Sequence, residues 1–258
     1  MKKSDPFTIE ELRQKYALTG NRSKFLATYS AQSPGIVDHN TPASWEKLLG
    51  DIPDIQDPMT ADRIAITAQM MRPITQKTTG LDIGIGNGWV EKRVDRKYPG
   101  QFVWTGIDIT KDNLTSLKHE LQGDMHRGDV LNMPRAVMKR QFNYVLLLEV
   151  LEHIPHTHTH AVLKTIHTLI ADNGYFIISV PINENLKEKI ARGTNHSHHV
   201  RRYTPEIIRM ELSCAGFEVV EAHELYAFSS WYRFKSLIAR ITKRWKPNVI
   251  VIKARKRS

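Results

Sequence analysis

Residues 79–88 read Thr79-Gly80-Leu81-Asp82-Ile83-Gly84-Ile85-Gly86-Asn87-Gly88. An apolar run reaches Asp82, and the chain then carries glycine at the alternate positions 84, 86 and 88. Glycine at such positions lets the backbone turn sharply and lets a ligand approach closely, where a Cβ atom would keep it away. This pattern predicts a strand of a nucleotide-binding α/β fold, followed by a loop that contacts a ligand.

A second apolar run, residues 102–107, ends in Asp108, which lies twenty residues beyond Gly88. Nucleotide-binding α/β folds place a carboxylate for the ribose hydroxyls at about this distance. The glycines depart from the G-x-G-x-x-G spacing of dinucleotide-binding folds, because position 89 is Trp89. Asp82 would repel a pyrophosphate, but it suits the cationic amino or sulfonium group of S-adenosylmethionine. The two segments together predict an adenosine-containing cofactor, against the alternative of a tight turn without a ligand.

Apolar runs alternate with helical patterns along the chain, which indicates a mainly parallel, doubly wound sheet. A turn is predicted at residues 172–174, between a helix at 158–170 and a strand at 175–180. In such sheets ligands bind at the carboxyl ends of the strands. Three acids are expected at this edge, Asp82, Asp108 and Asp129.

The chain divides into two predicted parts. Residues 1–60 lack strong periodicity and are expected to form a helical or irregular lid over the acceptor, together with 181–203, because these long segments leave the carboxyl edge of the sheet. Residues 61–258 are expected to form the cofactor-binding domain, including a basic amphipathic helix at 231–246. The side chains considered for the lid are Tyr29, His39 and Trp45.

Several motifs between residues 60 and 256 resemble those of class I S-adenosylmethionine-dependent methyltransferases, within the small-molecule, ubiquinone-pathway-like group. The D-x-G-x-G-x-G pattern resembles their first motif, and the E-V-L-E-H-I run resembles the segment after their fourth strand. The resemblance implies a Rossmann-like, mainly parallel seven-stranded sheet and S-adenosylmethionine as the cofactor. The matching segments are 82–88, 106–109, 128–130, 149–154, 199–206 and 215–219.

The resemblance also implies a role for each cofactor-binding residue. Asp108 would accept hydrogen bonds from both ribose hydroxyls, and Asp129 would face the adenine between the apolar walls of Ile109 and Val130. Asp82 and the glycine loop would hold the methionine end. For Asp129, a simple turn aspartate is the alternative. The expected cofactor-binding residues are Asp82, Gly84, Ile85, Gly86, Gly88, Asp108, Ile109, Asp129, Val130 and Leu148.

Methyl transfer from a sulfonium requires an aligned acceptor and, for a hydroxyl acceptor, a group that helps to remove the proton. Glu149, Glu152 and His153 are the candidate catalytic residues, because i, i+3 and i+4 share one face of a first helical turn. In ubiquinone-pathway and small-RNA methyltransferases, such a run and a later histidine hold a divalent cation. The resemblance therefore implies Mg²⁺ or Mn²⁺, with His196 or His199 as a further ligand. Alternatively, the two glutamates cap the helix and line the pocket without a metal.

The chain carries 37 Lys and Arg against 27 Asp and Glu, a formal net charge of +10, and many of the cations lie near its end. In residues 231–246 an apolar stripe is flanked by cations, which is typical of a helix at a membrane surface. The same cations could bind RNA phosphates, or the stripe could pack on the sheet. Peripheral membrane contact is expected ahead of RNA, and no DNA partner is expected. The stripe consists of Trp231, Phe234, Ile238, Ile241 and Trp245.

Composition is that of an ordinary globular protein, with 41% hydrophobic and 25% charged residues. No run approaches the roughly 18 apolar residues of a membrane span, and the single cysteine, Cys214, excludes an internal disulfide. A cytoplasmic location, peripheral to the membrane, is therefore expected. The predicted activity is O-methylation of a small-molecule, saccharide or lipid-linked acceptor by in-line transfer. The alternatives are a metal-assisted RNA 2′-O-methyltransferase and a non-catalytic cofactor-binding sensor or scaffold.

Overall fold

The computed structural model describes residues 41–45 and 57–257. Much of the predicted lid, including Tyr29 and His39, lies outside the described residues, whereas residues 42–45 are helical. The strands are β1 (Thr78–Ile83), β2 (Phe102–Asp108), β3 (Gly123–Arg127), β4 (Phe142–Leu148), β5 (Ile170–Pro181), β6 (Phe217–Leu225) and β7 (Val249–Lys256). The helices are α1 (Pro58–Gln69), α2 (Trp89–Lys97), α3 (Lys111–Glu120), α4 (Arg135–Met138), α5 (His156–Leu169), α6 (Leu186–Ala191), α7 (Pro205–Cys214) and α8 (Tyr232–Thr242).

The strands form one seven-stranded sheet in the order β3-β2-β1-β4-β5-β7-β6. Strands β1 to β5 pair in parallel, and β7 runs antiparallel to both of its neighbours, β5 and β6. The mainly parallel, doubly wound sheet is thereby confirmed. Because β7 is reversed, β6 ends and β7 begins at the edge where β1, β2 and β4 have their carboxyl ends.

Helices cover both faces of this sheet. Leu163 of α5 and Ile208 of α7 pack in the core on one face, and Ala68 of α1 and Val94 of α2 pack in the core on the other. Local sequence fixes where the helices begin, since the Asp57 carboxylate accepts hydrogen bonds from the amides of the first turn of α1. The Thr204 hydroxyl caps α7 in the same way.

The predicted turn at 172–174 is wrong, because these residues belong to β5. The strand begins at Ile170, which pairs with Phe142 of β4. The pairing then shifts register between Phe142 and Tyr144, so the extra residues are accommodated within the strand as an irregularity. The Asp-Asn-Gly signal at 172–174 therefore marks this irregularity and not the end of a helix–turn–strand connection.

Candidate active site

The glycine loop follows β1 and has left-handed backbone at all three of its glycines, 84, 86 and 88. Gly84 has φ of 81°, and a Cβ atom there would lie 2.5 Å from Val150 Cγ2. Gly86 has φ of 53°, and a Cβ atom there would meet no described atom within 4 Å. Gly84 is therefore needed for packing against the segment after β4, whereas Gly86 leaves open space beside the main chain.

That open space belongs to a cavity of about 330 Å³ at the carboxyl edge of the sheet, a size typical of small-molecule sites. Of the predicted cofactor-binding residues, seven line it, namely Gly84, Gly86, Asp108, Ile109, Asp129, Val130 and Leu148. The other three do not line the cavity. Ile85 is buried in the core, Gly88 caps the start of α2, and Asp82 is buried beneath the glycines.

Asp108 ends β2 and joins two loops. Its Oδ2 accepts a hydrogen bond from the Gly86 amide at 2.9 Å. Its Oδ1 accepts hydrogen bonds from the Thr110 amide at 2.9 Å and from the Thr110 hydroxyl at 2.7 Å. A carboxylate has about four acceptor positions, and these donors occupy three of them, so Asp108 can hold this loop and still accept one hydrogen bond from a ligand hydroxyl. The side chain is both a structural tie and part of the cavity wall.

Asp129 follows β3 and forms the turn that the sequence left as an alternative. Its Oδ1 accepts hydrogen bonds from the amides of Leu131 at 2.6 Å and Asn132 at 2.8 Å. The residue also lines the cavity, between Gly128 and Val130. The turn fixes the position of the carboxylate at the cavity wall.

Beneath the glycine loop, Asp82 forms a buried carboxyl pair with Glu91 of α2, a contact that was not predicted from the sequence. Burial raises the pKa of Asp82 to about 6, and a hydrogen bond from Glu91 opposes this rise. Burial and the neighbouring Asp82 raise the pKa of Glu91 well above its usual range. Glu91 therefore stays protonated and donates a hydrogen bond to the Asp82 carboxylate, because two adjacent buried carboxyls cannot both be ionised. The only sequence signal for Glu91 was its place in the first turn after the loop.

Glu149 does not share a face with the other two candidate catalytic residues, which corrects the prediction of a helical turn. The turn after β4 is a short 3₁₀ helix, Leu151–His153, and Glu149 precedes it with left-handed backbone at φ of 55°. Its carboxylate accepts a hydrogen bond from the Ser179 hydroxyl of β5 at 2.7 Å. A non-glycine residue in this conformation is strained, which is characteristic of functional sites. Glu149 lines the cavity from the side of β5.

Glu152, His153 and His199 form a cluster of groups that could hold a metal ion, with one ligand atom from each within 4.8 Å of the others. Glu152 Oε1 lies 3.8 Å from His153 Nε2 and 3.9 Å from His199 Nε2. Burial and the nearby Glu149 raise the pKa of Glu152 well above its usual range. Burial, followed by the neighbouring His199, lowers the pKa of His153 to about 3.

Hydrogen bonds orient both imidazole rings of this cluster. His153 Nδ1 lies 3.4 Å from the His198 carbonyl oxygen, and His199 Nδ1 lies 2.6 Å from Glu184 Oε2. An oxygen acceptor at Nδ1 assigns the proton to that nitrogen, so both rings turn Nε2 toward Glu152. Although burial alone would raise the pKa of Glu184, hydrogen bonds from His199 and Lys189 lower it. Glu184 lies shortly after the end of β5, and this location after a strand is the sequence feature that could have marked it as a site residue.

The segment that carries His199 is anchored to the 3₁₀ turn. The amides of Val200 and Arg201 both donate to the Glu152 carbonyl oxygen, at 3.0 and 3.1 Å. The buried Arg201 side chain then pairs with Glu211 of α7 at 2.7 Å and donates to the Tyr203 hydroxyl. These contacts place His199 in the cluster with little freedom to move.

The structure resolves which of the two later histidines lies near the cluster. His199 belongs to it, whereas His196 is exposed. Trp45, one of the side chains considered for the lid, packs edge-on against the His153 ring at 4.9 Å between centroids and lines the cavity. The acceptor side of the cavity therefore has an aromatic wall next to the titratable groups.

Comparisons with solved structures place this fold among methyltransferases. A 1,6-didemethyltoxoflavin-N1-methyltransferase from Burkholderia thailandensis, solved with S-adenosylhomocysteine, has 19% identity and a TM-score of 0.62, over 88% of this chain and 94% of that one. The N-methyltransferase NodS from Bradyrhizobium japonicum has 14% identity and a TM-score of 0.56, over 79% and 99%. The cyclopropane synthase MmaA2 from Mycobacterium tuberculosis has 11% identity and a TM-score of 0.56, over 76% and 84%. At these identities the likeness concerns the fold.

The sequence comparisons decide the family. No curated protein matches the chain, but a family model described as a methyltransferase domain matches residues 37–222. Within residues 41–45 and 57–257, no helix has the length and apolar character needed to span a bilayer. Since the family match covers most of the chain and agrees with the observed fold, the protein belongs to the methyltransferase-domain family and is an S-adenosylmethionine-dependent methyltransferase.

Proposed function

We propose that the protein transfers the methyl group of S-adenosylmethionine to an oxygen atom of a small-molecule, saccharide or lipid-linked acceptor. The observation that carries this proposal is a shared cavity. Asp108 and Asp129, the groups expected to bind the cofactor, line the same space as His153 and Glu149, which are able to handle a proton. Transfer to oxygen needs such a group beside the methyl donor, because a hydroxyl must lose its proton as it attacks.

In this proposal the cofactor lies along the carboxyl ends of β1, β2 and β3. Asp108 accepts a hydrogen bond from a ribose hydroxyl at its remaining acceptor position, which contributes about 1.5–3 kcal/mol. Asp129 faces the adenine amino group, with Ile109 and Val130 as apolar walls. The methionine end lies against Gly84 and Gly86, above the negative charge of Asp82. The methyl group then points toward His153 and Trp45.

Without a bound cation, His153 would receive the acceptor's proton through Nε2, because Nδ1 is hydrogen-bonded to the His198 carbonyl oxygen. A pKa of about 3 keeps this ring neutral at physiological pH, but it makes the isolated imidazole a weak base. The same property suits a metal ligand, which must be unprotonated. Proton removal at this site is therefore better explained with a cation bound next to His153.

The residues of the cluster fit a divalent cation. Both Glu152 carboxylate oxygens are buried and have no hydrogen-bond partner among the described residues. Two imidazole nitrogens face them, and Glu184 orients His199 from behind, as is usual for metal-binding histidines. We propose that Glu152, His153 and His199 hold Mn²⁺ or Mg²⁺, and mixed nitrogen and oxygen ligands favour Mn²⁺. A cation held there would supply Lewis-acid activation of the acceptor hydroxyl.

Two measurements test this proposal. The first is transfer of labelled methyl from S-adenosylmethionine into a fractionated cell extract, with and without a chelator. Label in the small-molecule, saccharide or lipid fraction, lost on chelation and restored by Mn²⁺, is expected. Label confined to RNA would assign the protein to RNA 2′-O-methylation instead.

The second measurement is calorimetric titration with Mn²⁺ of protein from which metal has been removed by a chelator. His199→Ala should abolish binding, and Glu184→Gln should weaken it about 10- to 100-fold through the misoriented ring. His196→Ala is the matched control, because it removes an exposed histidine of the same segment. Equal Mn²⁺ binding by His199→Ala and His196→Ala would refute the metal site and leave His153 as the proton acceptor.

A further inference from the structure

Helix α8 exposes its large apolar side chains. The exposed fractions are 78% for Trp231, 60% for Phe234, 56% for Leu237, 72% for Ile241 and 42% for Trp245. A helix that packed its stripe on the sheet would bury these residues, whereas here they stay exposed and Trp245 packs edge-on against Phe228 at 5.9 Å between centroids. The predicted stripe is therefore directed outward, with Leu237 as an additional member and Ile238 half-buried at its margin.

The opposite face of α8 holds the helix on the protein. Ser236 and Ala239 are buried there, and their small side chains allow a close approach. Burial and the neighbouring Asp62 of α1 raise the pKa of Tyr232 on the same face. Since 232, 236 and 239 recur at steps of three and four, the attached face and the apolar face lie on opposite sides of the helix.

Cations border the exposed apolar face along one side and at the end of the helix. Arg233 and Arg240 are exposed on the helix itself, and Lys243, Arg244 and Lys246 are exposed at its end. We call this set of cations, together with the five apolar residues above, the α8 surface. It combines tryptophans at both ends, an apolar centre and a basic margin.

The α8 surface lies at the same edge of the sheet as the active site. Helix α8 connects the end of β6 to the start of β7, and both of these lie at the carboxyl edge. Its ends are tied to that edge, because the Asn248 amide donates to the Leu225 carbonyl oxygen at 2.7 Å. Asn183 Nδ2, in the segment after β5, donates to the Pro247 carbonyl oxygen at 2.9 Å.

We propose that the α8 surface docks the protein on an anionic lipid bilayer. A bilayer interface with acidic headgroups satisfies both parts of the surface at once, since the apolar side chains enter the acyl boundary and the cations meet the headgroups. A second copy of the chain would bring two basic margins together, and like charges at an interface are costly. RNA phosphates would meet the cations but would leave the apolar centre in water.

Docking in this way turns the carboxyl edge of the sheet toward the membrane. Taken with the proposed methyl transfer, on which this step rests, it narrows the acceptor to a lipid-linked or amphiphilic molecule whose hydroxyl lies near the headgroups. A bulky apolar tail would then stay in the bilayer and need no room in a cavity of about 330 Å³.

The test is flotation of the full chain, without cofactor or acceptor, on vesicles of phosphatidylcholine alone or mixed with phosphatidylglycerol. Strong binding to the mixed vesicles is expected. Lys243→Glu/Arg244→Glu should lower the partition coefficient at least about 30-fold, which corresponds to about 1 kcal/mol for each cation lost. Phe234→Ser/Ile241→Ser should lower it at least about tenfold. The matched control is Arg93→Glu/Lys118→Glu, which reverses exposed cations on α2 and α3.

Equal vesicle binding by the wild type, both α8 variants and the control would overturn the proposal. Absence of vesicle binding would also overturn it. In that case, loss of affinity for an RNA oligonucleotide in the α8 variants would indicate RNA as the partner, and dissociation of a dimer in sedimentation would indicate a second copy of the chain. Affinity for S-adenosylhomocysteine, measured on every variant, shows that the fold is intact. Vesicle binding without methyl transfer would refute the proposed function and support the docking surface. Methyl transfer without vesicle binding would support the proposed function and refute the docking surface.

Discussion

Replacing Gly84 by alanine is expected to destabilise the fold, whereas the same replacement at Gly86 is expected to weaken cofactor binding. Both glycines have left-handed backbone, for which a Cβ atom costs about 1–2 kcal/mol. At Gly84 the new Cβ would also lie 2.5 Å from Val150 Cγ2, and overpacking of this kind costs about 1–3 kcal/mol more. Gly84→Ala should therefore lose about 2–5 kcal/mol of unfolding free energy, and Gly86→Ala about 1–2 kcal/mol.

The assays are urea unfolding and calorimetric titration with S-adenosylhomocysteine. Gly86→Ala should bind the ligand at least about tenfold more weakly, because its Cβ enters the part of the cavity where the cofactor is expected to contact the loop. Val150→Ala removes the clashing methyl groups, so it should stabilise Gly84→Ala while destabilising the wild type. Equal stability of the two glycine variants, or no recovery in Gly84→Ala/Val150→Ala, would refute this account of the loop.

Three further predictions concern buried charges. Asp108→Ala should reduce S-adenosylhomocysteine affinity at least about tenfold, since one charge-assisted hydrogen bond contributes about 1.5–3 kcal/mol, and unchanged affinity in calorimetry would contradict the ribose assignment. Because burial raises the pKa of Asp82 to about 6, the folded protein holds a proton that the unfolded chain releases near pH 4. The contribution of Asp82 to the free energy of unfolding should therefore fall by up to about 3 kcal/mol as pH rises from about 4 to 6, and this fall should appear as a pH-dependent difference between the urea-unfolding profiles of the wild type and Asp82→Asn. Glu211→Gln leaves the buried Arg201 without its ion partner and should cost about 3–5 kcal/mol, whereas Arg201→Met/Glu211→Met should recover most of it, and equal midpoints for the two variants would contradict this.

The sequence was sufficient for the sheet and for the cofactor side of the site, because these depend on local signals. Glycine spacing, an acid at the end of each strand and continuous apolar runs are read within a few residues. The position of Asp108 at the end of a strand could be anticipated for this reason, and the residue lines the cavity, while its role toward the ribose stays a prediction. The same reasoning failed at residues 172–174, where a local turn signal was overridden by the pairing of Ile170 with Phe142.

The acceptor side depends on contacts between distant segments, which leave little local trace. Glu184 reaches His199 across a long excursion after β5, and neither residue predicts the other from spacing. Glu149 was expected on a helical turn, but the chain leaves β4 through left-handed backbone, so its side chain faces Ser179. For α8, periodicity identified two faces of the helix but not which of them packs on the protein. Ser236 and Ala239 are small and only weakly apolar, so the sequence does not mark their face as the buried one.

Glu152 contributes its side chain to the cluster and its carbonyl oxygen to the anchoring of the excursion after β5, which leaves the middle of that excursion free to vary in sequence. Its carbonyl oxygen holds Val200 and Arg201, and Ile182 pairs with Tyr203, so both ends of the excursion after β5 are clamped to the scaffold. Residues 187–194 between these clamps are exposed. Substitutions there can accumulate while Glu152 and His199 keep their positions. Exchange of these exposed residues between homologues should therefore leave the buried cluster intact.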